Sequence, residues 1–162
     1  MKKSDHLPMY GVGPVYMYGI LALLIAGIAA HLHGWLDSGI IPALRVPFLI
    51  AGVLLIVSGV LVWVAAVFGA KIDKGIKGNH LVTHSIYAWV RNPIYFAGIT
   101  VGTGISLCFN NLWLLLLVPV DWIFLTLLMR ATEEKWLLNL YGEEYAAYCR
   151  RVNRCFPWFP KK

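Results

Sequence analysis

An all-α integral membrane bundle of four transmembrane helices is the fold this sequence predicts. Three observations predict it: apolar residues come in long uncharged blocks, the composition lies outside the soluble range, and basic residues avoid two of the three connections between blocks. Hydrophobic residues make up 59% of the 162 and charged residues only 14%. Mean hydropathy is +0.68, which excludes an ordinary soluble domain.

From Leu7 to Leu36 there is no charge apart from whatever His31 and His33 carry, and from Val46 to Ala70 there is none. Both runs exceed the roughly 20 residues that cross a hydrocarbon core about 30 Å thick. The chain is uncharged again from Asn92 to Val120, interrupted by the adjacent turn formers Asn110 and Asn111. Spans are therefore expected near 14–34, 46–70, 93–109 and 112–129 of a single membrane domain, 1–162. None of these runs alternates with period two, and a bilayer admits only helices or closed barrels, so the spans are helical.

Of the 14 Lys and Arg residues, only Arg45 falls in the first connection and none in the third. The positive-inside rule then puts the N-terminus, the second loop (71–92) and the C-terminal segment (130–162) in the cytoplasm, so both termini lie inside. The net charge of +6 reads as orientation and contact with anionic membrane lipid, and no nucleic-acid partner is expected. As a cleaved signal peptide the first block is too long, with only Lys2, Lys3 and Asp5 leading in, so it reads as a retained span. Cys108, Cys149 and Cys155 form no C-x-x-C pair, and neither a disulfide framework nor a metal site is expected.

Polar residues gather where the blocks end. The second loop carries Gly75, Gly78, three Lys and two His; it is either a solvated basic loop on lipid head groups or an ordered part of a site. Its exit, Arg91-Asn92-Pro93-Ile94-Tyr95, favours the second reading. Pro93 suits a first helical turn, and the free amides there, beside Arg91, suit an anionic group. Gly98, Gly102 and Gly104 leave one side of the third span almost bare, for close helix packing, for a ligand, or for both.

Glu133 and Glu134 follow the fourth span at its cytoplasmic edge, and point about 100° apart on a helix. They are either a solvated cap neutralised by Arg130 and Lys135 or part of a site. Leu137, Tyr141, Tyr145, Tyr148 and Val152 then form an amphipathic stripe, which Gly142 bends or divides and which is placed to close a cavity. Asp121 is costly in hydrocarbon and is expected to face the bundle interior, a cavity or the membrane edge, in a functional or a structural role. His31 and His33 read as interfacial.

With these segments in place, the chain resembles the isoprenylcysteine carboxyl methyltransferase and phospholipid methyltransferase group of integral membrane enzymes. The likeness rests on LVTHSIYAWVRNPIY at 81–95, on Glu133-Glu134, and on YGEEYAAYCRRVNRCFP at 141–157, covering roughly the second half of the chain. It implies methyl transfer from S-adenosylmethionine, held in a cytoplasmic pocket, to a lipophilic acceptor reaching it through the bilayer. It further implies that His80, Leu81, Val82, Tyr87, Asn92, Tyr95, Glu133 and Glu134 bind the cofactor. Arg130 and Arg154 are placed to meet an acidic acceptor, and with Arg91 they make the candidate catalytic set.

The sequence departs from that group at two positions, with Ser85 where Gly is usual and Asn92 where His is usual. The serine suggests a turn that does not demand positive φ; the asparagine hydrogen-bonds but does not titrate. The rival readings are a nicotinamide-dependent membrane reductase and a non-enzymatic four-helix transporter or membrane subunit. The last would place essential charges at mid-membrane, where Asp121 stands alone.

Overall fold

The computed structural model describes residues 11–70, 78 and 80–159; most of the second loop and the N-terminal lysines lie outside them. The described residues form helices joined by loops, with no strand among them and only two isolated bridges, Ile40 with Asn111 and Val90 with Asn153. Helix α1 (Gly13–Leu32) starts with a proline in its first turn. Two short 3-10 turns lead to α2 (Arg45–Val64), which continues through a single π turn at Ala65–Gly69. Helix α3 (Pro93–Cys108) also starts on a proline. The expected fourth span is two pieces, α4 (Leu112–Leu115) and α5 (Leu117–Ala131), because Pro119 has no N–H to give the preceding turn. Gly142, at φ +55°, divides the C-terminal segment into α6 (Glu133–Tyr141) and α7 (Glu143–Arg151).

Three helical stretches, Gly13–Leu32, Pro42–Gly69 and Leu112–Tyr141, are long and apolar enough to cross a membrane. The third expected span is shorter: α3 has 16 residues, ~24 Å of helix. It is also the most sequestered, with Tyr95, Ala97, Ile99, Thr100, Gly104 and Ser106 all buried. The long helices turn Tyr18, Leu21, Leu54, Leu61 and Leu127 outward, the surface a bilayer covers.

Two contacts fix how the helices meet. Helices α2 and α3 form the most extensive pair because glycines let their backbones touch. A Cβ at Gly52 would lie 2.6 Å from the Gly104 carbonyl, and one at Gly104 would lie 2.6 Å from that of Gly52. Helices α1, α3 and α5 share a core of Tyr16, Ile20, Tyr95, Ile99, Leu125 and Met129, where the Tyr16 ring meets Tyr95 edge-on at 5.2 Å. At the end remote from Glu133, Asn111 is fully buried and does what an interfacial turn requires. Its Nδ2 donates to the Leu36 carbonyl at 2.8 Å and meets His31 Nδ1 at 3.0 Å, while its Oδ1 accepts from the Trp113 amide at 2.9 Å.

One expectation is overturned. Ser85 opens the 3-10 turn Ser85–Ala88 at φ +58°, so this position does take the left-handed conformation that glycine adopts without cost. The serine side chain is exposed and escapes a clash, but its backbone still carries the steric penalty of an L-residue there.

Candidate functional site

The polar end of the bundle forms where four stretches converge: the start of α3, the α5–α6 junction, α7, and the extended chain after Arg151. Thr132 interrupts the helix at φ −128°, so Glu133 and Glu134 begin α6 in a new direction. The two carboxylates then take different surroundings.

Glu133 turns inward. Its Oε1 accepts from the Val12 amide and from the Tyr95 hydroxyl, both at 2.8 Å, tying the chain before α1 to the start of α3. Gly11, at φ +52°, lies so close over this carboxylate that a Cβ there would collide with Oε1. Glu134 turns toward cations. It accepts from Arg154 Nε at 2.6 Å and Nη2 at 2.9 Å, and Arg91 Nη1 lies 3.2 Å from its Oε1. Side-chain exposures of 9% for Arg91, 18% for Glu134 and 20% for Arg154 put this cluster largely out of water.

The residues after α7 form a strap across the start of α3. The Arg91 amide donates to the Asn153 carbonyl at 2.9 Å, Asn92 Nδ2 to the Arg154 carbonyl at 3.0 Å, and the Trp158 amide to the Trp89 carbonyl at 3.2 Å. Phe156 and Phe159 add ring contacts to Phe96 and Trp89. Beneath the strap, Tyr145, Tyr148 and Val152 pack with Leu81 and Leu137, so the amphipathic stripe faces inward as its spacing predicts. Tyr148 Oη donates to the Tyr87 carbonyl at 2.6 Å, and Arg91 Nη1 donates to Cys149 Sγ at 2.6 Å and to Tyr145 Oη at 3.3 Å.

Burial is the largest influence on the phenols of Tyr145 and Tyr148; it pushes both well above the ordinary tyrosine range and keeps them protonated donors. Burial likewise raises the Cys155 thiol, while the hydrogen bond to Glu134 raises the Arg154 guanidinium. Arg91, Asn92, Tyr95, Glu133, Glu134 and Arg154 are thus brought together. Leu81 and Val82 are packing residues, Val82 against Ala66, Ala70 and Tyr87. His80 and Arg130 are exposed and stand apart from these bonds.

Sequence reasoning missed Tyr16, whose hydroxyl is buried with no partner among the described residues, and the amide of Val12. Neither belongs to a motif; both enter through contact with residues far along the chain. The described residues contain no group of three or more His, Cys, Asp or Glu arranged to hold a metal ion.

Membrane-type helices with a buried, mixed-charge and aromatic cluster at one end define the class: a helical membrane protein with a polar site at the bilayer's edge. Residues 47–144, more than half of the chain, match the family described as phospholipid methyltransferase, and the chain belongs to that family. It is similar to the protein-S-isoprenylcysteine O-methyltransferase of Schizosaccharomyces pombe, 33% identical over 89 residues, covering 54% of this chain and 37% of that protein. It is also similar to the protein of the same name from Tribolium castaneum, 34% identical over 80 residues, covering 48% of this chain and 28% of that one. The matches thus span only about a third of these relatives' length, or less. No solved structure matches the chain.

Proposed function

We propose that the chain is an S-adenosylmethionine-dependent membrane methyltransferase that esterifies a carboxylate on a lipophilic acceptor. The observation that carries this reading is the convergence of Arg91, Asn92, Tyr95, Glu133, Glu134 and Arg154 at one end of an apolar bundle. Family membership and two relatives named for O-methyl transfer to isoprenylcysteine support it.

The residues present fit the cofactor. Arg91 Nε is buried without an acceptor among the described residues and suits a carboxylate. Both bonds to Glu133 fall on Oε1, so its second oxygen is the natural partner for the cofactor's amino or hydroxyl groups. Bound S-adenosylmethionine supplies an electrophilic methyl carbon on a sulfonium. The protein's part is to align the acceptor, exclude water and balance charge. The aromatic faces of Tyr87, Trp89 and Tyr95 would favour the sulfonium by about 0.5–2 kcal/mol where one lies against it.

Two guanidiniums share the carboxylate of Glu134 while Glu133 turns away to Val12 and Tyr95, so positive charge is in excess locally, around Arg91 and Arg154. That charge favours a carboxylate acceptor, which is already a nucleophile and needs no base. The strap would hold the cluster closed, and the distribution of basic residues supports a cytoplasmic position for this end.

The test is incubation of the purified protein in lipid nanodiscs with methyl-labelled S-adenosylmethionine and prenylated thiol acids, phospholipids, lipophilic acids and lipophilic amines. Base-labile label on the acids, lost in Arg91→Ala, is the expected result. Label on amines alone would overturn the carboxylate assignment; absence of cofactor binding would overturn the whole reading.

A further inference from the structure

The three glycines of α3 have separate roles. Gly104 is pressed against α2, but a Cβ at Gly102 would meet nothing within 4 Å, and one at Gly98 would only touch Met17 and Ile20. Gly98 and Gly102 instead floor a cavity of about 620 Å³ between α1, α2, α3 and α5, a size that accommodates a drug-sized or lipid-chain ligand. Helix α1 packs on α3 from one side and α2 from the other, and the cavity is bordered between them by Leu21 and Val60, both exposed toward the bilayer.

The lining is almost wholly apolar except for Ser106, whose hydroxyl donates to the Gly102 carbonyl, and Asp121, which is 9% exposed and whose Oδ1 has no donor among the described residues. An ionised carboxylate in so apolar a setting is costly unless a donor or a cation meets it. Asp121 stands eight residues before Met129 on α5, ~12 Å of helix, and farther still from Glu133. A group that meets Asp121 is therefore distant from one that meets the Glu133 and Arg91 cluster.

We propose that this cavity seats the apolar chain of the acceptor and that Asp121 selects chains bearing a protonated amine well away from the reacting end. Charge complementarity favours the amine: an ammonium donates to Oδ1 and neutralises the carboxylate, whereas a hydroxyl supplies only the hydrogen bond. The bare backbone at Gly98 and Gly102 lets the chain lie close to α3. The inference rests on the methyltransferase reading for the ligand's being an acceptor; selection of amines is measurable without it.

The experiment uses the full chain in phosphatidylcholine nanodiscs, without methyl donor, and measures binding of dodecylamine and dodecanol against empty discs. Wild type is expected to bind the amine at least tenfold more tightly. Asp121→Asn is expected to erase that preference while still binding dodecanol, and Gly102→Leu, which fills the cavity, to lose both ligands. Equal affinity in wild type, or a preference surviving in Asp121→Asn, overturns the proposal. Should Asp121→Asn fail to fold, wild type and Gly102→Leu decide it: amine preference retained with the cavity filled overturns it. A final arm offers ω-aminododecanoic acid and dodecanoic acid with labelled S-adenosylmethionine. Faster esterification of the amino acid is expected, and equal rates overturn the selection. No cofactor binding in that arm, with amine preference intact, would strike the methyltransferase reading alone.

Discussion

Glu134 and Arg154 meet as a two-point ion pair, Nε to Oε1 at 2.6 Å and Nη2 to Oε2 at 2.9 Å, between the start of α6 and the strap beyond α7. This pair joins the membrane bundle to the C-terminal segment. It also positions the Arg154 carbonyl that accepts from Asn92, so one residue secures the strap through its side chain and its backbone.

Arg154→Ala removes both charge-assisted bonds and leaves Glu134 with Arg91 alone. A loss of about 1.5–3 kcal/mol in strap docking is expected. Limited proteolysis should show faster cleavage after Arg151 with the bundle intact. Arg154→Lys, which lacks the planar fork, should fall between the two.

Glu133→Gln keeps an Oε1 that accepts from Val12 and Tyr95, so the fold should survive with little change in melting temperature. Loss of the charge should lower S-adenosylmethionine affinity at least tenfold, read by calorimetry. Unchanged affinity would remove Glu133 from the cofactor site.

Ser85→Gly relieves a left-handed backbone at φ +58°. Against the greater freedom glycine gains in the unfolded chain, a net stabilisation of about 1 kcal/mol is expected, seen as a higher melting temperature. Ser85→Val, with a branched Cβ, should lower it.

Gly52→Leu and Gly102→Ala form a contrasting pair. The first forces a side chain into the Gly104 carbonyl and Cys108 Sγ, and should prevent α2 and α3 from docking, with loss of folded protein on size-exclusion chromatography. The second adds a methyl to open space and should leave folding unchanged.

Much of the architecture is legible in the sequence because a bilayer imposes one-dimensional rules. The uncharged runs locate α1, α2 and α5 within a few residues, Pro93 marks the start of α3, and the tyrosine stripe of α7 identifies its buried face. The motifs around Arg91, Glu133 and Arg154 pick out residues that the structure brings together, though His80 and Arg130 stand apart from them. Less legible is continuity: the expected fourth span is broken into α4 and α5 near Pro119, and Thr132 turns the chain again before α6.

By itself the sequence determined the helical membrane class, the helix limits and the clustering of charge at particular helix ends, since hydropathy and charge are properties of local segments. Tertiary structure alone decided that Glu133 binds backbone and phenol while its neighbour binds guanidiniums, that Gly104 packs while Gly102 floors a cavity, and that Ser85 takes a left-handed turn. The Val12 amide reaches Glu133 across 121 positions of chain. Such a bond depends on how whole helices dock, and a 100° turn between adjacent residues sends two chemically equal carboxylates to unlike partners.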